Sequence, residues 1–157
     1  MEQIAENEGR IYASLTIERP EEFVAPFPGS LFPCLIWDHR GDFSPAQIAA
    51  VAAALLDAGC RYAVCGGKLC EAWHDAIDVL FVERHLDDPE ERRESMNIMT
   101  TWHDGEGPDD VATFFVLSTN FQDHHFTRYL VLHVGAGEQK SEVDSAVRKY
   151  VVGQHAL

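Results

Sequence analysis

The sequence predicts an α/β fold: a three-layer, doubly wound, mostly parallel sheet of four to five strands with Rossmann-like topology. Three observations carry that expectation. Apolar runs of strand length alternate with stretches of helical spacing along residues 33–157. Helical stretches open on capping or acidic residues, where the positive end of a helix favours them. The resulting alternation of strand and helix requires parallel strands joined by right-handed crossovers.

Taken in order, residues 1–32 read as an irregular wrap. Within it, Ile11 to Ile17 alternates apolar with small or polar residues, which fits an extra edge strand. Pro20, Pro26, Pro28 and Pro33 keep the rest out of helix and sheet interiors, and Phe23, Phe27 and Phe32 bind it to the core. Cys34-Leu35-Ile36-Trp37 is the first core strand, followed by the loop Asp38 to Asp42. Ser44-Pro45-Ala46-Gln47 is a capping box with proline at the first helical position. Ile48, Val51, Ala52, Leu55 and Leu56 continue that helix, and Gly59 stops it. Tyr62 to Cys65 is the second strand, ending in Gly66-Gly67-Lys68. A helix over 68–84 carries Leu69, Trp73, Ile77 and Leu80, although Val79 to Val82 also suits a strand. Residues 88–91 are either a capped helical turn or a solvated loop.

The third strand is read from Met96 to Thr101, with Trp102 to Gly107 as the loop after it. Pro108-Asp109-Asp110 starts a third helix through Val111, Phe114 and Phe115, with a strand over 113–117 as the alternative. Tyr129 to Val134 is the fourth strand, and Ser141 opens a last helix ending near Val151. No repeat or linker divides the chain, so all 157 residues are read as one domain.

The charge balance narrows the function. The chain holds 12 basic and 26 acidic side chains, a formal net charge of −14. Nucleic-acid binding needs cations for the phosphates, and no basic stripe is present. No apolar run reaches the roughly 20 residues of a membrane span, and Met1 to Arg10 lacks the plan of a signal peptide. The expected setting is cytoplasmic, with Cys34, Cys60, Cys65 and Cys70 as reduced, buried thiols. An acidic field suits a basic protein partner.

In an open α/β sheet, ligands bind beyond the carboxyl ends of the strands. The first strand delivers Asp38, His39 and Arg40 there, and three further groups join them. Gly66, Gly67 and Lys68 precede a helix and offer backbone amides and a cation to a small anion. They form neither a P-loop nor a dinucleotide fingerprint. His74, in a stripe with Glu71, Asp75 and Asp78, is a candidate general base. Thr101, Trp102, His103 and Glu106 add hydroxyl, aromatic, imidazole and carboxylate groups at the third strand end, where a His103–Asp38 pair is a candidate acid–base couple. Cys65 before the helix start is a weaker candidate nucleophile. His133, flanked by apolar residues, reads as a satisfied core histidine. No metal signature is complete, and no cofactor is expected.

Two segments resemble a family of small uncharacterised bacterial α/β domains. One is G-G-x2-C-x2-W-H-D-x2-D, running from Gly66 to Asp78; the other is Met99-Thr100-Thr101-Trp102-His103 with Glu106. The resemblance covers roughly residues 34 to 135 and implies a compact α/β domain. It brings no activity. The overall expectation is a non-catalytic protein-binding domain of accessory or immunity type. The alternatives are a small-ligand or nucleotide-binding domain using Gly66, Gly67 and Lys68, and a small hydrolase or transferase using Asp38, His74 and His103.

Overall fold

The computed structural model describes residues 1–90, 97–120 and 124–153. Its strands are β1 (Glu2–Asn7), β2 (Arg10–Ile17), β3 (Phe32–Asp38), β4 (Cys60–Gly67), β5 (Met99–Trp102) and β6 (Arg128–Val134). The described residues hold four α-helices: α1 (Pro45–Ala58), α2 (Cys70–His85), α3 (Pro108–Leu117) and α4 (Lys140–Gly153).

The six strands form one sheet in the order β1-β2-β6-β3-β4-β5. Only β1 is antiparallel to its neighbour; all the other pairings are parallel. This corrects the expected four to five strands, and the order is not the 3-2-1-4-5-6 of dinucleotide-binding folds. The N-terminal segment is where the count differs. Residues 11–17 lie inside the sheet, between β1 and β6, rather than at its edge. The edge is β1, which Glu8 and Gly9 fold back onto β2 with φ of 51° and 80°. Two successive positive φ values make a turn whose twist matches a hairpin, and glycine at the second position suits it. The Asn7 side chain and the Ile4 carbonyl then tie β1 to α4 through Val151 and Arg148.

Helices cover both faces. On one face α1 and α2 pack Ile48, Val51, Leu55, Trp73 and Ile77 against Cys34, Ile36, Ala63 and Leu132. On the other, α3 and α4 pack Val111, Phe115, Val143 and Val147 against Leu35, Val64 and Val131. The strict alternation along β3 and β6 follows from successive side chains pointing to opposite faces. Strands covered on both faces have no polar side, so β3 is buried along its whole length. Phe27 is buried against Phe32 in an edge-to-face pair, with ring centroids 5.5 Å apart, so the proline-rich segment does wrap the α1 face.

The capping box is formed as its spacing predicts, with Ser44 Oγ accepting from the Gln47 amide and Gln47 Oε1 from the Ser44 amide. Gly59 ends α1 in the left-handed region at φ 106°. Residues 79–82 and 113–117 are helical, so the strand alternatives fall away. Both stretches are β-prone, but each continues a helix whose inner face, Trp73 and Ile77 in one and Val111 and Phe115 in the other, is already buried. The third strand starts at Met99; the turn read at 88–91 and the start read at Met96 fall partly or wholly within 91–96, outside the described residues.

Candidate functional site

Crevices open where neighbouring strands send their connections over opposite faces. The chain leaves β2, β3 and β4 over the α1–α2 face and leaves β5 and β6 over the α3–α4 face. Two places on the C-terminal rim therefore qualify: the β4–β5 boundary, and the surroundings of β6 between β2 and β3.

The β4–β5 boundary gathers most of the residues expected from sequence, but it splits them. Thr100 and Trp102 face α2, whereas Thr101 and His103 face α3, because side chains alternate along a strand. On the α2 side, His74 lies against the Trp102 indole with centroids 4.5 Å apart. Its Nδ1 is 2.9 Å from Asp75 and its Nε2 3.3 Å from Asp78, and Thr100 donates to Asp78 at 2.6 Å. On the other side, buried His103 has Nδ1 2.8 Å from Glu106 and Nε2 3.0 Å from Thr101. Each imidazole thus has both nitrogens engaged by protein. Trp102 remains 47% exposed.

Two candidate roles at this rim find no support in the geometry, and Cys65 is the buried thiol that was expected. Asp38 and His103 do not pair: β4 separates β3 from β5, and the two side chains face opposite sides of the sheet. Asp38 is 1% exposed and fully employed in structure. Its Oδ1 accepts the amides of Arg40 and Gly41, shaping the turn after β3, and its Oδ2 accepts the Trp73 indole N–H at 2.9 Å. The Gly66-Gly67-Lys68 step is explained by packing rather than by an open anion cradle. A Cβ on Gly66 would meet the Trp37 ring at 2.8 Å, and one on Gly67 the Asp38 carbonyl oxygen at 2.5 Å. The Lys68 amide already donates to that same carbonyl, while its side chain is exposed. Cys65 is fully buried, and burial first, then nearby Cys60, Cys70 and Asp78, pushes its thiol well above the ordinary range, against nucleophilic use.

The surroundings of β6 hold the arrangement that sequence reasoning missed. His133 and Trp37 are register partners at the ends of β6 and β3, and both are buried. His133 Nε2 lies 2.8 Å from Asp144 Oδ1 on α4, and His133 Nδ1 lies 2.8 Å from Nε2 of His39 in the loop after β3. Asp144 Oδ2 takes Lys140 at 3.1 Å and Ser14 Oγ at 3.3 Å. Burial alone would raise the Asp144 carboxyl, but hydrogen bonds and charge from His133 and Lys140 outweigh it and hold it below its usual value.

An ionised Asp144 accepts, so the network assigns the His133 proton to Nε2 and leaves its Nδ1 as acceptor. His39, a half-exposed residue, must then donate through Nε2, which leaves the lone pair on its Nδ1. Burial, then the neighbouring His133, depresses His39 to about 4, with Lys140 acting in the same direction and Asp38 and Asp144 opposing. His39 is therefore neutral at pH 7. The loop after β6 approaches closely: a Cβ on Gly137 would fall 2.7 Å from His39 Nδ1, and one on Gly135 2.8 Å from Arg40 Nε. A side chain at either position would run into the loop after β3, so glycine is what lets the two loops meet at His39.

The satisfied-core reading of His133 holds, but its partners lie 94 residues back and 11 ahead in sequence. The one local signal was Gly135-Ala136-Gly137 between a strand and a helix, the placement of a phosphate- or ligand-facing turn. Among the described residues no group of three or more His, Cys, Asp and Glu side chains is arranged to hold a metal ion.

The fold and these two rims define a small three-layer α/β domain with an Asp–His–His chain, buried at Asp144 and His133, at a switch point of the sheet. A family model described as a domain of unknown function, DUF7684, matches residues 12–150, and the chain belongs to that family. No curated protein and no solved structure matches it.

Proposed function

We propose that this protein binds a small ligand in the crevice around the end of β6 and that His39 serves there as a neutral proton acceptor. The observation that supports this most directly is the Asp144–His133–His39 chain, whose outer nitrogen lies at a glycine-lined rim. A carboxylate behind an imidazole steadies the positive charge that a proton taken from a ligand creates. Here Asp144 gives that support to His39 through His133, against the lowering effect of burial and of His133 itself. An anionic ligand would draw on the nearby Arg40 and Lys140, which are paired here with Glu18 and Asp42 and with Asp144.

A thermal-shift panel of nucleotides and phosphorylated metabolites tests the reading. A ligand at 100 times its dissociation constant stabilises by about 2.7 kcal/mol. The expected result is a shift in the wild type and in His103→Ala that is lost in His39→Ala. Equal shifts in all three proteins would remove His39 from the site.

A second reading is favoured by the net charge of −14 and by apolar side chains left exposed on the α2 side of the rim: Val79 and Val82 on α2, Leu86 at its C-terminal cap, and Trp102 on β5. These fit an accessory or immunity-type domain that docks on a basic protein. The cysteines are free and buried, which supports a reducing, cytoplasmic setting. Among the described residues no helix is long and apolar enough to cross a membrane. This reading expects a basic partner that is captured at low salt and released at high salt, because exposed charges are screened beyond about 8–10 Å at physiological ionic strength. Capture indifferent to salt would count against it.

A further inference from the structure

At the opposite pole of the sheet, a cavity of about 290 Å³ lies between the C-terminal ends of α1 and α2 and the start of β4. Its lining is Leu56, Asp57, Arg61, Phe81, Arg84 and His85. Two guanidiniums and an imidazole around one cavity are notable in a chain with 12 basic residues against 26 acidic ones.

The three basic groups are not equivalent. Arg84 is spent on Asp57 at 2.7 Å, and His85 on Asp88 at 2.6 Å. Both also sit in the last turn of α2, where cations complement the helix dipole. Arg61 has neither explanation. It is half-buried at the second residue of β4, and the bond described for it is Nη1 to the neighbouring Cys60 carbonyl at 2.8 Å. No carboxylate of the described residues forms an ion pair with it. A guanidinium drawn out of water without a counter-charge is costly, and its planar fork suits an oxyanion. One wall of the cavity is aromatic: the Phe81 ring lies 4.5 Å from that of His85.

We propose that this cavity binds the phosphate group of a small organic phosphate, with Arg61 as its principal ligand, Arg84 and His85 beside it, and Phe81 against the organic part. The volume suits one such molecule, at the lower end of ordinary ligand sites. The site is separate from the His39 crevice and stands independently of it.

The test is a melting-temperature titration of the full chain with inorganic phosphate and phenyl phosphate, at constant ionic strength set by sodium chloride. The expected result is a saturable rise with both, half-complete at lower concentration for phenyl phosphate. In Arg61→Gln the half-saturating concentration rises at least tenfold, whereas Lys149→Gln, changed at an exposed pair with Asp109 remote from the cavity, titrates as the wild type. Arg84→Gln, altered at a partly exposed ion pair, also weakens binding and serves if Arg61→Gln fails to fold. Phosphate stabilises proteins generally by exclusion from their surface. A rise that is linear, or one equal in the arginine variants and the wild type, would overturn the proposal.

Discussion

His133 occupies a position where one side chain joins three elements. It lies fully buried on β6, bonded to α4 through Asp144 and to the β3–α1 loop through His39. Replacing it with asparagine leaves the Asp144 carboxylate without its imidazole partner. A buried group stripped of its partner costs about 2–3 kcal/mol, to be read from urea denaturation of His133→Asn. The same change removes the neighbour that helps depress His39. The His39 titration followed by NMR should therefore move up from about 4 towards its ordinary value of 6.5. Destabilisation with an unmoved titration would mean that the two imidazoles are not coupled. Asp38 has a contrasting role: with both oxygens spent on a turn and on Trp73, it builds the rim without acting at it.

Among the elements, α1 is held by its ends as much as by its buried face. Ser44 closes its reciprocal box with Gln47 at 3.2 Å and 2.8 Å. Ser44→Ala should cost about 1 kcal/mol, the usual loss for such a cap, and Gln47→Ala a similar or smaller amount; a thermal melt checks both. Helix α2 starts less favourably. Its N-terminal flank, Leu69, is held at φ 55° without a side-chain cap. The packing that compensates is Trp73 and Ile77 against the sheet, since fully burying one such side chain contributes roughly 1.5–3 kcal/mol. The strand β5 is short and its residues are at most half-buried, as suits an edge that must not recruit another strand.

At the scale of the whole molecule, the buried chain links stability to acid. His39 is depressed from 6.5 to about 4, so between those values the unfolded chain carries a proton that the native protein refuses. Stability is therefore full above about pH 6.5 and falls as pH drops towards 4. Asp144, held below 3.8, adds a further loss only beneath that value. Urea midpoints measured from pH 7.5 to pH 4 should decline in the wild type and decline less in His39→Asn. Equal slopes would assign the acid sensitivity elsewhere. The sheet order sets this linkage, because placing β6 between β2 and β3 brings Ser14, His39 and His133 under α4.

Local chemistry is enough to read most of the elements. The capping box, the left-handed Gly59 and the apolar spacing of α1 act over a few residues, and each appears where the sequence puts it. Helix or strand was open for 79–82 and 113–117 because both periods fit short apolar runs, and burial of one continuous helical face decided it. The hairpin of β1 was hidden because its turn, Glu8-Gly9, relies on a non-glycine residue at positive φ. Strand order was not legible at all, since no local pattern states that the last strand inserts between the second and the third. The site followed from that order. Asp38, His74 and His103 share a rim in sequence logic, yet alternation across the sheet divides them. His39, His133 and Asp144 are ordinary residues in sequence and become one chain only when parallel pairing and the α4 crossover bring them together.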